Sequence, residues 1–443
     1  MALLEASGIG KNFGDTHVLK DISLTLEQGE ALAIIGSSGS GKTTLLRCLN
    51  FLERPDTGVI KVNGETMWDA ADPATQRESE VRKKRLHFGL VFQNFNLFPQ
   101  YTALQNVMLA GELLAKERPD YKARKKAIHA ELEQQAKELL AQMGLSERAG
   151  HYPHQLSGGQ QQRVAIARTL APEPSVLFMD EPLSNLDAKL RLEMRYELQR
   201  LHVETGSTFV YVTHDQMEAM TLATQICLIN NGVLQQYQAP LEVYHHPANL
   251  FVADFVGTPS INFVDAKGKQ SSDGSLELTV LGGIKATFKP AKALDMQAWF
   301  ASRDKEAADK AAALKQKASE KSYVEKGNKD EVFRYHIAKV NEEDDSLQDV
   351  PEITNEDFVL GIRPEFLDIA DTGALQGEIY GAMPTGMEST VKVRVGEFLL
   401  TGVIFGSSLF TIGTKVPLSV TGNQIMLFDR RSGKCITSGS LEF

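Results

Sequence analysis

The sequence predicts an α/β protein that ends in an all-β part. Three observations carry this reading. Apolar runs of strand length alternate with helical patterns through about the first 240 residues, which argues for a mainly parallel sheet flanked by helices. One of these strands passes through a glycine-rich turn directly into a helix. From about residue 355 to 443 the pattern changes to short strands with period-2 alternation and Gly-rich turns, which suggests a small β-barrel.

The strand is Ala31-Leu32-Ala33-Ile34-Ile35, the turn is Gly36-Ser37-Ser38-Gly39-Ser40-Gly41-Lys42-Thr43, and the helix continues as Thr44-Leu45-Leu46-Arg47-Cys48-Leu49. The turn fits the G-x-x-x-x-G-K-[ST] phosphate loop in the strand–loop–helix context that the motif requires. Glycines let backbone N–H groups curl around phosphate oxygens, and the helix N-terminus adds partial positive charge. Lys42 is expected to reach the β- and γ-phosphates and the Thr43 hydroxyl to ligate Mg²⁺. Gly36, Ser37, Ser38, Gly39, Ser40, Gly41, Lys42, Thr43 and Thr44 are therefore candidate nucleotide contacts. The bland alternative is a glycine-rich turn without a ligand.

Further strands end in polar residues. Val176-Leu177-Phe178-Met179 runs into Asp180-Glu181-Pro182, and buried parallel strands carry ligand sites at such C-terminal ends. Adjacent strand residues face opposite sides, so Asp180 and Glu181 should have separate tasks. Val91-Phe92 leads to Gln93, and Phe209-Val210-Tyr211-Val212-Thr213 leads to His214, with Asp215 placed to cap a following helix. Between them, Tyr121 to Met143 places Ile128, Leu132, Ala136, Leu139, Leu140 and Met143 on one helical face, closed by Gly144. A second helical pattern, Leu190, Met194, Leu198 and Leu201, ends near Gly206, and Asn231-Gly232 marks a hairpin turn.

Composition suits a soluble enzyme. The chain has 443 residues, is 42% hydrophobic and 23% charged, and carries a net charge of −10, without the basic excess of a nucleic-acid binder. Its 3 cysteines, Cys48, Cys227 and Cys435, are widely spaced without a C-x-x-C, which suggests reduced thiols in a cytoplasm. The start shows no basic region followed by an apolar core, so no signal peptide is expected. No apolar run approaches the roughly 20 residues that span a bilayer. His245 and His246 lack a third ligand at metal spacing and are expected to be solvated turn residues.

Leu156-Ser157-Gly158-Gly159-Gln160, continuing as Gln161-Gln162-Arg163-Val164-Ala165-Ile166-Ala167-Arg168, resembles the signature turn of the ATP-binding cassette (ABC) proteins, and the phosphate loop occurs with it there. The resemblance implies a P-loop NTPase (RecA-like) core at 1–240 with a helical subdomain at about 94–172. It implies that two chains bind ATP and Mg²⁺ head-to-tail, with Ser157, Gly158, Gly159 and Gln160 of one capping the γ-phosphate held by the other. Asp180 would hold Mg²⁺ through water, Glu181 would polarise the attacking water, and Gln93 (Q-loop) would contact both. His214 would be the switch histidine. Ser184-Asn185-Leu186-Asp187 matches the D-loop, which crosses to the other subunit. Phe13 sits where the family stacks an aromatic on adenine, although tyrosine or tryptophan is commoner there; a plain core role is the alternative. Phe95, Leu97, Phe98, Pro99 and Tyr101 would line the groove for a membrane subunit's coupling helix.

The C-terminal half resembles a subgroup. Ala239 to Asn249, Phe251 to Phe263, and Leu360-Gly361-Ile362-Arg363-Pro364-Glu365 look like carbohydrate-importer ATPases of the maltose type, whose extra domain, here 241–443, is an OB-like regulatory barrel. Two departures stand against a simple transfer. Cys48 to Pro55 and Phe95 to Pro99 look more like polar amino-acid importers. Residues about 295–350 are a charged insertion, expected to be an exposed helix over Ala301 to Ser322 and an acidic loop from Glu342, with a partner-binding arm as the alternative. The resemblance implies an importer's ATPase subunit: its partners are a second, identical or different ATPase subunit, transmembrane permease subunits and, indirectly, an extracytoplasmic solute-binding protein, at the cytoplasmic face of the membrane. Cassette ATPases acting on DNA or ribosomes, and nucleotide-gated regulators, are the competing classes. The first usually has paired cassettes, coiled coils or basic surfaces, none of which is visible in the sequence. The second is disfavoured by an intact Glu181 and His214.

Overall fold

The computed structural model describes residues 2–320, 333–340, 353–369, 373–406 and 409–443. The chain divides into two compact units, Met1–Leu241 and Glu242–Phe443.

The first unit is built on a six-stranded sheet in the order Val233–Gln238, Gln225–Asn230, Ala31–Gly36, Thr208–Val212, Val176–Asp180, Phe88–Val91. All neighbours are parallel except the edge pair of residues 225–230 and 233–238, a hairpin turning at Asn231 (φ 48°) and Gly232 (φ 77°). Both central residues are left-handed, as a twist-matched two-residue hairpin requires. The strands 31–36 and 208–212 are buried along their whole length, which explains their unbroken apolar sequence. A separate antiparallel sheet joins Thr16–Glu27, Ala2–Phe13, Thr57–Val62 and Glu65–Asp69, which the expectation of one mainly parallel sheet did not include.

Three helices, Ala103–Lys116, Tyr121–Gln142 and Gly158–Leu170, lie between the fifth and sixth strands of the parallel order in sequence. The first opens with a complete capping box, Thr102 with Gln105. The second buries Ile128, Ala136 and Leu140 and ends at Met143, with Gly144 left-handed at φ 66°. The helix Ala188–Thr205 buries Met194, Leu198 and Leu201 and stops at left-handed Gly206.

The second unit contains a closed six-stranded barrel, in the order Asn262–Gln270, Leu276–Val280, Ile284–Pro290, Cys435–Glu442, Ile425–Asp429, Asp357–Ile362. Beside it is a five-stranded antiparallel sheet, Leu367–Ile369, Lys415–Val420, Leu375–Pro384, Glu388–Val395, Phe398–Phe405. The strands starting at Glu388 and Lys415 thus belong to the second sheet and not to the barrel wall. Arg363 is fully buried: its guanidinium donates to the carbonyl oxygens of Tyr244, Ala253 and Val256 and lies 4.1 Å from the Tyr244 ring centroid. One side chain therefore fastens the segment 244–256 to the strand that precedes it, a physical reason for the Gly361-Ile362-Arg363-Pro364 motif.

The insertion is not wholly a solvated excursion. Its helix runs from Met296 to Glu320, and both Met296 and Arg303 are buried. Farther on, Phe333, Tyr335 and Ile337 pack on a barrel cluster that includes Phe263 and Phe428. Of the acidic loop expected from Glu342 to Asp357, residues 341–352 lie outside the described residues, while Glu356 pairs with Lys269 at 2.9 Å and Asp357 opens the strand Asp357–Ile362.

Candidate functional site

The phosphate loop has the shape its sequence requires. Gly36 (φ 150°) passes so close to the neighbouring strand that a Cβ would sit 2.0 Å from the Ile229 carbonyl oxygen, and one on Gly41 (φ 100°) would sit 2.9 Å from that of Val18. Lys42 Nζ donates to the carbonyl oxygens of Gly36 (3.0 Å) and Ser37 (2.8 Å), so the ammonium is held inside the loop. Burial lowers the Lys42 pKa from the usual lysine value, and the charge of Glu181 opposes that shift. The helix Lys42–Leu49 starts without a side-chain cap, which leaves its first N–H groups for an anionic ligand.

Thr43 Oγ1 donates to Asp180 Oδ1 at 3.4 Å. Burial raises the Asp180 carboxyl above its ordinary range, opposed by the charge of Arg47 and by the Thr43 hydrogen bond. A half-buried carboxylate and hydroxyl converging beside the phosphate loop fit a hard oxygen-seeking cation such as Mg²⁺. Glu181 follows in the left-handed region, at φ 47°, a conformation that costs energy for a non-glycine residue and is typical of functional sites. Its Oε2 lies 3.4 Å from His214 Nδ1 and accepts from Gln93 Nε2 at 3.4 Å. Three strand ends thus bring Glu181, His214 and Gln93 together. Gln93 also donates to Ser184 Oγ (3.3 Å); among the described residues no hydrogen bond joins it to Thr43 or Asp180.

The backbone on both sides of His214 is held. Thr213 Oγ1 donates to buried Glu218 at 2.6 Å. Asp215 caps the helix Gln216–Leu222 and pairs with Arg195 at 2.5 Å, as the sequence suggested for its cap. Phe13 is 48% exposed, with Lys11 Nζ 5.1 Å from its ring centroid, so a core role is excluded. All three thiols are pushed up to about 12 by burial, which keeps them protonated and poorly nucleophilic at neutral pH.

Residues 19–184 match the family described as ABC transporter. The chain is 33% identical, over 98% of its own length and 96% of the relative's, to a xylose/arabinose import ATP-binding protein of Haloferax volcanii. It belongs to the ABC transporter ATPases. Two shorter matches are a trehalose/maltose import ATP-binding protein of Thermococcus litoralis (41%, over 60% of this chain and 67% of that one) and a spermidine/putrescine import ATP-binding protein of Chromobacterium violaceum (40%, over 68% and 78%).

In this ABC ATPase the signature turn is a helix cap. Ser157 accepts from Gln160 N while Gln160 Oε1 accepts from Ser157 N, a reciprocal capping box at the start of Gly158–Leu170. A Cβ on Gly159 would meet the Leu190 side chain, Cδ1 at 2.8 Å, which would have to move aside. Among the described residues no hydrogen bond or ion pair joins Ser157, Gly158, Gly159 or Gln160 to the chain's own phosphate loop. Asp187 caps Ala188–Thr205, accepting from Leu190 N at 2.9 Å.

Sequence reasoning missed two organisers of the loop after Gln93. Buried Asn106 accepts from Phe98 N and donates to the carbonyl oxygens of Phe98, Tyr101 and Thr102. Arg168, on the signature helix, donates to the carbonyl oxygens of Phe95 and Asn96, both at positive φ. Phe95 is buried, whereas Phe98 is exposed. The only sequence sign of Asn106 was the Thr102–Gln105 capping signal four residues before it.

Proposed function

We propose that this ABC ATPase is the motor subunit of a carbohydrate importer, working in pairs at the cytoplasmic face of a membrane. The observation that carries the hydrolytic reading is the convergence of Gln93 and His214 on one carboxylate, Glu181, next to the Thr43–Asp180 pair. Lys42 and the loop N–H groups bind the phosphates of ATP, and Phe13 supports the adenine. Thr43, Asp180 and Gln93 are the residues for Mg²⁺, which supplies charge neutralisation on the phosphate oxygens when bound. Glu181 accepts a hydrogen bond from the attacking water, and His214 and Gln93 keep that carboxylate oriented. Catalysis here is positioning and charge stabilisation, with little covalent chemistry for the protein to perform. The γ-phosphate is capped by Ser157 to Gln160 of a second ATPase subunit, identical or not, whose Asp187 loop crosses the same interface.

No helix among the described residues is long and apolar enough to cross a membrane, so the transport path would belong to separate permease subunits, reached through the loop around exposed Phe98. Carbohydrate is supported by the full-length match to a xylose/arabinose import protein and the match to a trehalose/maltose one. A polyamine cargo is the second reading, supported by the spermidine/putrescine relative. The test is ATP hydrolysis by the full-length complex in the presence of extracytoplasmic binding proteins. Stimulation by a sugar-loaded protein is expected. Stimulation only by a polyamine- or amino-acid-loaded protein would replace the cargo and leave the motor intact.

A further inference from the structure

Asn185 stands in the loop after Glu181, exposed and away from the core. Its NH₂ group nevertheless donates to two acceptors on the adjacent residues Gln93 and Asn94. Asn185 Nδ2 donates to the Gln93 carbonyl oxygen at 3.0 Å and to Asn94 Oδ1 at 3.1 Å. In return the Gln93 side chain donates to Ser184 Oγ (3.3 Å) and Glu181 Oε2 (3.4 Å), and Ser184 Oγ donates to the Glu181 carbonyl oxygen (2.9 Å). The bonds close a ring between two irregular segments that share no strand pairing at these residues. In that ring Asn185 holds the backbone of Gln93, and Ser184 both receives the Gln93 amide and fixes the backbone of Glu181.

We propose that Asn185 is a positioning residue: it ties the Gln93 loop to the Glu181 loop and thereby holds the Gln93 amide on the hydrolytic carboxylate. The Gln93 side chain has several rotatable bonds and reaches Glu181 at a long hydrogen-bond distance, so its placement depends on where its backbone is held. Neighbouring Phe95 and Asn96 are left-handed, so the segment has no regular ladder to hold it. Asparagine suits the task because its NH₂ offers two donors to two acceptors. Aspartate would set a carboxylate against two oxygens.

This inference rests on the hydrolytic reading of Glu181 and Gln93, and the experiment separates the two. Full-length Asn185→Ala, Asn185→Asp and Glu181→Gln are compared with wild type in steady-state MgATP hydrolysis. Asn185→Ala should lose about tenfold in kcat, with KM for ATP unchanged within about twofold, as for an interaction that matters in the transition state. Asn185→Asp should lose at least as much kcat as Asn185→Ala, because it replaces two donors by a carboxylate set against two acceptor oxygens. Wild-type kcat in Asn185→Ala, a loss carried by KM alone, or an Asn185→Asp that retains more kcat than Asn185→Ala would overturn the proposal. An active Glu181→Gln would remove the hydrolytic reading itself. An inert Glu181→Gln beside a fully active Asn185→Ala removes only the role of Asn185.

Discussion

Replacing Arg303 tests whether the charged insertion is part of the second unit's core. Its side chain is 4% exposed and faces Asp429, which is 0% exposed, with Nη1 2.9 Å from Oδ1. The same guanidinium donates to Asn355 and Asp304, both at 2.9 Å, and lies 4.9 Å from the Phe300 ring centroid. Arg303→Met leaves Asp429 with its Ser432 hydrogen bonds but without a counter-charge. Removing one partner of a buried pair costs about 3–5 kcal/mol, against about 0–1 kcal/mol for an exposed pair. Adding Asp429→Asn removes the stranded charge while its side-chain oxygen can still accept from Ser432, and should restore about half of the loss. The chain has 2 tryptophans, and Trp299 stacks edge-on with Phe300 in this region, so its fluorescence in a Trp68→Phe background reports urea unfolding of the second unit. A cost below about 1 kcal/mol for Arg303→Met, or no recovery in the double variant, would refute the buried anchor. ATP hydrolysis should be retained under native conditions, because every proposed hydrolytic group lies in the first unit.

Phe13→Ala should raise KM for ATP roughly tenfold, and Phe13→Trp should not, since ring stacking is worth about 1–3 kcal/mol per base; equal KM in all three proteins refutes the stacking role. Ser157→Arg should bind MgATP as a monomer and fail to pair, which light scattering in a Glu181→Gln background reads directly; normal ATP-driven pairing refutes the shared site. Glu218 is buried, and burial raises its carboxyl pKa in the folded state, so its contribution to stability is lost as pH rises from the ordinary carboxyl value through the raised one. Glu218→Gln keeps an acceptor for Thr213 and should gain stability relative to wild type between pH 4 and pH 7, near and above the ordinary carboxyl range; a constant difference in denaturation free energy refutes the assignment.

What the sequence made legible follows from how local the physics is. The phosphate loop is readable because one short segment must supply the left-handed glycines, the lysine and the hydroxyl. Asp180, Glu181, Gln93 and His214 are readable because each terminates an apolar strand, and parallel strands deliver their C-terminal ends to one edge. The hairpin at Asn231-Gly232 and the stop at Gly206 need φ values that few residues adopt. Other features depend on partners far away in the chain. Nothing near Asn185 shows that its amide meets the Gln93 carbonyl oxygen, and nothing near Arg303 shows that Asp429 waits for it. The charged run after Arg303 reads as a solvated face, because all nine residues from Asp304 to Ala312 are exposed and five of them are charged, and only Arg303 and its aromatic neighbours decide otherwise. The N-terminal antiparallel sheet went unread because the pairing that unites its two hairpins, Ala2–Phe13 with Thr57–Val62, reaches across the phosphate-loop segment.

The most direct test of the central claim, that Glu181 is the hydrolytic carboxylate of a site completed by pairing, is Glu181→Gln in MgATP. The account predicts ATP binding like wild type, turnover lower by two orders of magnitude or more, as loss of a general base costs about 10²–10⁴-fold, and a stable ATP-bound dimer. Turnover at the wild-type rate, or a chain that remains monomeric with ATP bound, would contradict it.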